Sequence, residues 1–115
     1  MQYQDLSKPD KKIIRELIDK GVMREFEQGI LKLDRIIDKW KDKKLDNREA
    51  YHALYKQINI VNDHIAFRYD GLTGSRYVNT VVMQLVNDVL TENDLEGLTP
   101  EVRENLIATS AFLKE

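Results

Sequence analysis

The side chains best suited to chemistry crowd one stretch, His64-Ile65-Ala66-Phe67-Arg68-Tyr69-Asp70, and the loop that follows it, Gly71-Leu72-Thr73-Gly74-Ser75-Arg76. Within it, His64, Arg68, Tyr69, Asp70, Thr73, Ser75 and Arg76 form a candidate ligand-binding set. Backbone amides at a helix start, two hydroxyls and a guanidinium suit a phosphate or carboxylate. The loop is not a P-loop, because a helix rather than a strand precedes it and the phosphate-binding lysine is absent. A structural reading competes and is the simpler one. Gly71 ends one helix, and Thr73 or Ser75 caps the next.

Asp63 could orient His64, but no Ser, Thr or Cys is marked as a nucleophile for it to activate, which leans away from catalysis. Glu49-x-x-His52 has the spacing of carboxylate-bridged metal bundles, yet such sites need two copies and further carboxylates, and His64 completes no second pair. Glu49 is accounted for more simply by a capping box with Asp46. No metal and no cofactor is expected.

These residues must be positioned by helices. Ser7-Lys8-Pro9-Asp10 places a capping hydroxyl, an early proline and a first-turn carboxylate, so the first helix starts there and residues 1–6 are expected to form a flexible tail. Met23, Phe26, Ile30, Leu33, Ile37 and Trp40 then alternate steps of three and four, the spacing of a packing seam. Gly21 and Gly29 interrupt this helix and mark either a kink or a close approach; a bend is expected near Gly21. Lysines 39, 41, 43 and 44 complement the helix end.

Asp46-Asn47-Arg48-Glu49 opens the second helix, and the short connection implies an antiparallel hairpin. That helix carries Leu54, Ile58, Val61 and Ile65 on one stripe and Ala53, Ile60 and Phe67 on another. The third runs through Tyr77, Val78, Val81, Val82, Leu85, Val86, Val89 and Leu90, with a wide apolar arc that places it centrally. Residues 91–97 form an acidic connector with room for one helical turn, and Thr99-Pro100-Glu101 opens the last helix with a capping threonine. The fold class is therefore all-α: a bundle of about four helices with a long antiparallel N-terminal hairpin, in a single domain spanning 1–115.

Composition narrows the function. The 115 residues are 42% hydrophobic and 33% charged, which fits a folded chain. A formal charge of -2 gives no field for nucleic acid or anionic lipid. With no cysteine, no leader-like segment and no long apolar run, a cytoplasmic location without a membrane span is expected. A first helix reaching Asp42 would be about 50 Å long, twice its cover. Either the N-terminal third folds back at Gly21, or its Ile13, Ile14, Leu17 and Ile18 stripe is covered by a second copy. The favoured function is a small self-associating protein–protein interaction module, with a homodimer as the preferred homo-oligomer and Trp40, Tyr51 and Tyr55 available as anchors. The alternative is a small enzyme or anion-binding protein using the helix–loop–helix junction at 64–77.

Overall fold

In the computed structural model, which describes residues 1–115, the chain forms four α-helices and no strand: α1 (Lys8–Lys41), α2 (Asn47–Tyr69), α3 (Gly74–Val86) and α4 (Pro100–Lys114). The fold is all-α, as the helical spacing and caps imply. Short 3-10 turns occupy Tyr3–Asp5 and Glu92–Leu95, the second within the acidic connector. Chain contacts group into two compact units, Met1–Val22 with Gly71–Glu115 and the hairpin Met23–Asp70.

Local chemistry sets the helix boundaries. Asp10 N donates to Ser7 Oγ at 3.2 Å, which caps α1. At α2 the capping box is complete: Glu49 N donates to Asp46 Oδ1 at 2.7 Å, and Asp46 N donates to Glu49 Oε1 at 3.1 Å. Gly71, with φ of 67°, turns the chain away after α2 in a conformation that costs a glycine little. The β-branched run of α3 is helical because its apolar positions repeat with the helix period.

The first unit holds a conventional core. Ile14, Leu17 and Ile18 of α1 are buried together with Val81, Val82 and Leu85 of α3 and Val102 and Leu106 of α4. Val89, Leu90, Leu95 and Leu98 close it. The Ile14, Leu17 and Ile18 stripe is thus covered within the chain and needs no second copy. Residues 3–5, read as part of a tail, pack: the Tyr3 ring meets that of Tyr77 edge-on with centroids 5.0 Å apart.

α1 runs unbroken through Gly21, so it does not fold back there. The glycine serves a close approach instead. Gln84 of α3 is fully buried and its Nε2 donates to the Ile18 carbonyl at 3.2 Å. A Cβ on Gly21 would stand 2.0 Å from that nitrogen. Removing the side chain from one turn of α1 is what admits the amide.

Asp10 makes a second polar tie. It is buried, and its carboxylate accepts from Thr99 N at 3.0 Å and from the Thr99 hydroxyl at 2.9 Å. Thr99 occupies the N-cap position of α4, but its hydroxyl donates to Asp10 rather than capping its own helix. Burial on its own would raise the Asp10 pKa. The bonds from Thr99 and Ser7 outweigh it and hold the carboxyl below its ordinary range.

Two outcomes follow from these ties. Gly21→Ala gains about 1 kcal/mol of helix propensity but overpacks a buried amide, a cost of about 1–3 kcal/mol; a net loss of thermal stability is expected, and adding Gln84→Ala should make the Gly21 substitution stabilising in a double-mutant cycle read by thermal denaturation. Asp10 binds its proton less readily in the folded state than in the unfolded one. Its contribution is therefore complete above the unfolded carboxylate value and is lost as pH falls below about 4. Asp10→Asn should flatten the acid limb of a stability–pH curve and lower stability at neutral pH by about 1–3 kcal/mol.

Candidate functional site

The hairpin unit closes along a narrow line. Gly29 of α1 faces Val61 of α2 so closely that a Cβ on the glycine would stand 3.0 Å from a Val61 methyl. Glu25 meets His64 and Arg68 one turn further on, and Trp40 Nε1 donates to Asn47 Oδ1 at 2.8 Å at the loop end. These contacts advance along α1 as they retreat along α2, so the hairpin is antiparallel.

Glu25 is the buried charge of this unit. Its Oε1 accepts from Arg68 Nη1 at 2.7 Å and from His64 Nε2 at 2.9 Å. Its Oε2 is buried without a hydrogen-bond partner. The Glu25 side chain is 6% exposed, that of Arg68 13% and that of His64 44%, so the arginine bond is the sheltered one and the histidine lies at the rim. A 270 Å³ cleft beside the cluster is lined by Glu25, Gln28, Lys32, Gln57 and His64 together with apolar groups. No hydroxyl or thiol lines it, so it offers an acid–base pair and amides but no nucleophile of that kind.

The seven residues read as a ligand-binding set separate between the units. His64, Arg68, Tyr69 and Asp70 belong to the hairpin, and Thr73, Ser75 and Arg76 to the other unit. His64 and Arg68 are brought together, on Glu25. Tyr69 is half-buried at the last position of α2, and Asp70 is its C-cap, donating its amide to the Ala66 carbonyl. Thr73 is the N-cap of α3 without a side-chain cap bond, and its hydroxyl pairs with that of Ser75 at 3.0 Å. Arg76 is exposed in the first turn of α3.

Sequence reasoning missed Glu25, which sits among the charges of α1. The available signal was its spacing of four from Gly29, the position that admits α2. The expected seam was also displaced by one step. Met23, Phe26, Ile30 and Trp40 are exposed, Met23 at 69% and Ile30 at 65%, while Leu33 and Ile37 are half-buried. What faces α2 is the neighbouring line of Glu25, Gly29 and Ile36.

α2 carries a matching row. Tyr51, Tyr55, Ile58, Asn62, Ile65 and Tyr69 step by four and three, and Tyr51, Tyr55 and Ile58 are exposed, Tyr51 at 75%. Each row lies one residue, about 100° of rotation, beyond its helix's inward line: Ile30 after Gly29, Ile37 after Ile36, Tyr55 after Leu54, Asn62 after Val61. Helices that run antiparallel and turn in the same sense from a common seam present those rows to the same side. The hairpin therefore carries a broad apolar flank made of two heptad rows, while Leu31, Ile60 and Phe67 are exposed outside them.

The chain matches no protein-family model, no curated protein and no solved structure. No helix is long and apolar enough to cross a membrane. The all-α class and these surfaces are what define the protein.

The Glu25 cluster yields its own test. Arg68→Leu leaves a buried carboxylate with only a rim histidine, a loss of about 2–3 kcal/mol. Glu25→Leu combined with Arg68→Leu removes both charges and should recover most of that in urea titrations.

Proposed function

We propose that the protein is a small helical protein–protein interaction module that self-associates through the apolar flank of its hairpin, working in the cytoplasm rather than as an enzyme. The observation that supports this reading most is the pair of heptad rows on α1 and α2, of which Met23, Phe26, Ile30, Trp40, Tyr51, Tyr55 and Ile58 are exposed. Scattered exposed apolar residues are ordinary. Seven large ones aligned on one flank are the composition of an interface core, with two tyrosines and a tryptophan among them. The absence of cysteine accords with a reducing compartment.

The reading as an anion-binding protein or enzyme at 64–77 draws less support. Arg68 is already held by Glu25, so an incoming anion would have to displace a buried carboxylate.

The chain holds one tryptophan, and it lies on the flank, so Trp40 reports association directly. Size-exclusion with light scattering should give a species larger than the 13.5 kDa chain, and Trp40 emission should shift to the blue as concentration rises. Ile30→Glu places a charge in the interface and should weaken association at least about 100-fold while leaving helicity unchanged. A strict monomer with concentration-independent Trp40 emission would remove the basis of the reading.

A further inference from the structure

We infer that the side of the hairpin opposite its apolar flank is a docking groove for an acidic amphipathic helix of a partner protein. The partner's carboxylates meet Lys32, Arg35 and Lys39 of α1, and its apolar stripe covers Ala53, Ile60 and Phe67 of α2. This rests on the reading as an interaction module but uses a surface separate from the one assigned to self-association.

The 270 Å³ cleft locates the groove. Gln28 and Lys32 of α1 line it together with Gln57, Ile60 and His64 of α2, and none of the exposed members of the apolar flank does. Gln28 and Ile60 each precede a seam residue, Gly29 and Val61, by one position, whereas Ile30 and Asn62 follow by one. One step back and one step forward turn by about 100° in opposite senses, so cleft and flank lie on opposite sides of the hairpin.

The two walls differ in chemistry. On α1, Arg35 and Lys39 continue the row of Gln28 and Lys32 by steps of three and four, and all three cations are exposed. None of them makes an ion pair within the chain. Lys32 has no acid three or four residues to either side. Glu25, which also lines the cleft, adds no net charge, because Arg68 neutralises it. On α2, Ala53 and Phe67 lie one heptad to either side of Ile60. Phe67 is 86% exposed and Ile60 49%, and Ala53 is half-buried. A chain with a net charge of -2 thus turns a cationic wall and an apolar wall to the same side of one unit.

Such a pair of walls selects its occupant. A helix lying along the groove, roughly 8–10 Å from both α1 and α2, completes a three-helix bundle. Carboxylates at steps of three and four along one edge then oppose the cations, while the adjoining apolar edge covers Ile60 and Phe67. The cations from Lys32 to Lys39 span about 10 Å and the apolar row from Ala53 to Phe67 about 21 Å, so a partner helix of about four turns reaches both. A phosphate backbone matches the cations but leaves Ile60 and Phe67 in water, and three cations release few counterions. A bilayer is flat on this scale and does not fill a cleft between two helices.

Selection of displayed random peptides against the full-length chain should enrich sequences with acidic and apolar residues at helical spacing. Anisotropy titrations of an enriched peptide should show binding at least about tenfold weaker for Lys32→Glu combined with Arg35→Glu, and roughly tenfold weaker for Phe67→Ala, with circular dichroism unchanged in both. Ile30→Glu, on the other flank, should leave the affinity for the peptide unchanged; a loss there would put the peptide on that flank and overturn the inference. A strictly monomeric chain that binds the peptide as expected would end the self-association reading and leave the groove standing. Enrichment without acidic bias, or binding indifferent to the charge reversal, would overturn it. So would a face that binds phosphatidylserine vesicles or single-stranded RNA through Lys32 and Arg35 while taking up no acidic peptide, which would reassign it to a membrane or a nucleic acid.

Discussion

Everything proposed for the hairpin depends on how close α2 comes to α1 at Gly29. Where a glycine faces a valine, the helices approach until side chains larger than valine no longer fit between them. The line across the seam mixes that Gly29–Val61 pair with the charged Glu25 and Arg68 and with half-buried Ile36 and Leu54. The large side chains are displaced by one position and emerge together on one flank. Water meets that flank at a cost of about 25 cal/mol per Å². A tightly closed seam at Gly29 and an open apolar side thus lie on neighbouring positions of the same two helices.

The units differ in how polar groups are used. In the unit built from Met1–Val22 and Gly71–Glu115, the buried polar groups fix geometry inside an apolar core: Gln84 reads the backbone of α1 at Ile18, and Asp10 gathers the N-termini of α1 and α4 through Thr99. In the hairpin, the buried charge of Glu25 is paired across the seam with Arg68, alongside half-buried Ile36, Leu54 and Val61. Ionic closure specifies register more than it stabilises, since the desolvation of Glu25 offsets much of the attraction to Arg68.

Much of the fold was legible because it rests on local rules. Ser7, the Asp46–Glu49 box and Pro100 mark helix starts through groups within three residues, and Gly71 marks an end. The valine-rich α3 was legible through its period. What the sequence left open depends on partners far away in the chain. Two adjacent lines on α1 both have helical spacing, and periodicity cannot say which one meets α2; the choice falls to Gly29, whose reason lies at Val61. Glu25 reads as a solvated charge until His64 and Arg68, 39 and 43 residues on, are brought to it. Thr99 has the look of a cap, and its hydroxyl turns to Asp10, 89 residues away. The candidate set at 64–76 was gathered by sequence proximity, and the structure sorts it into a helix-end ion pair and a helix-start hydroxyl pair.

The Asp10–Thr99 tie also sets an order of events. It joins residues 89 positions apart, so the unit containing it cannot close until the chain is synthesised almost to its end. The hairpin draws only on Met23–Asp70 and needs no residue of α3 or α4 to close. Closure of the hairpin is thus local in sequence, while the other unit waits on both ends of the chain.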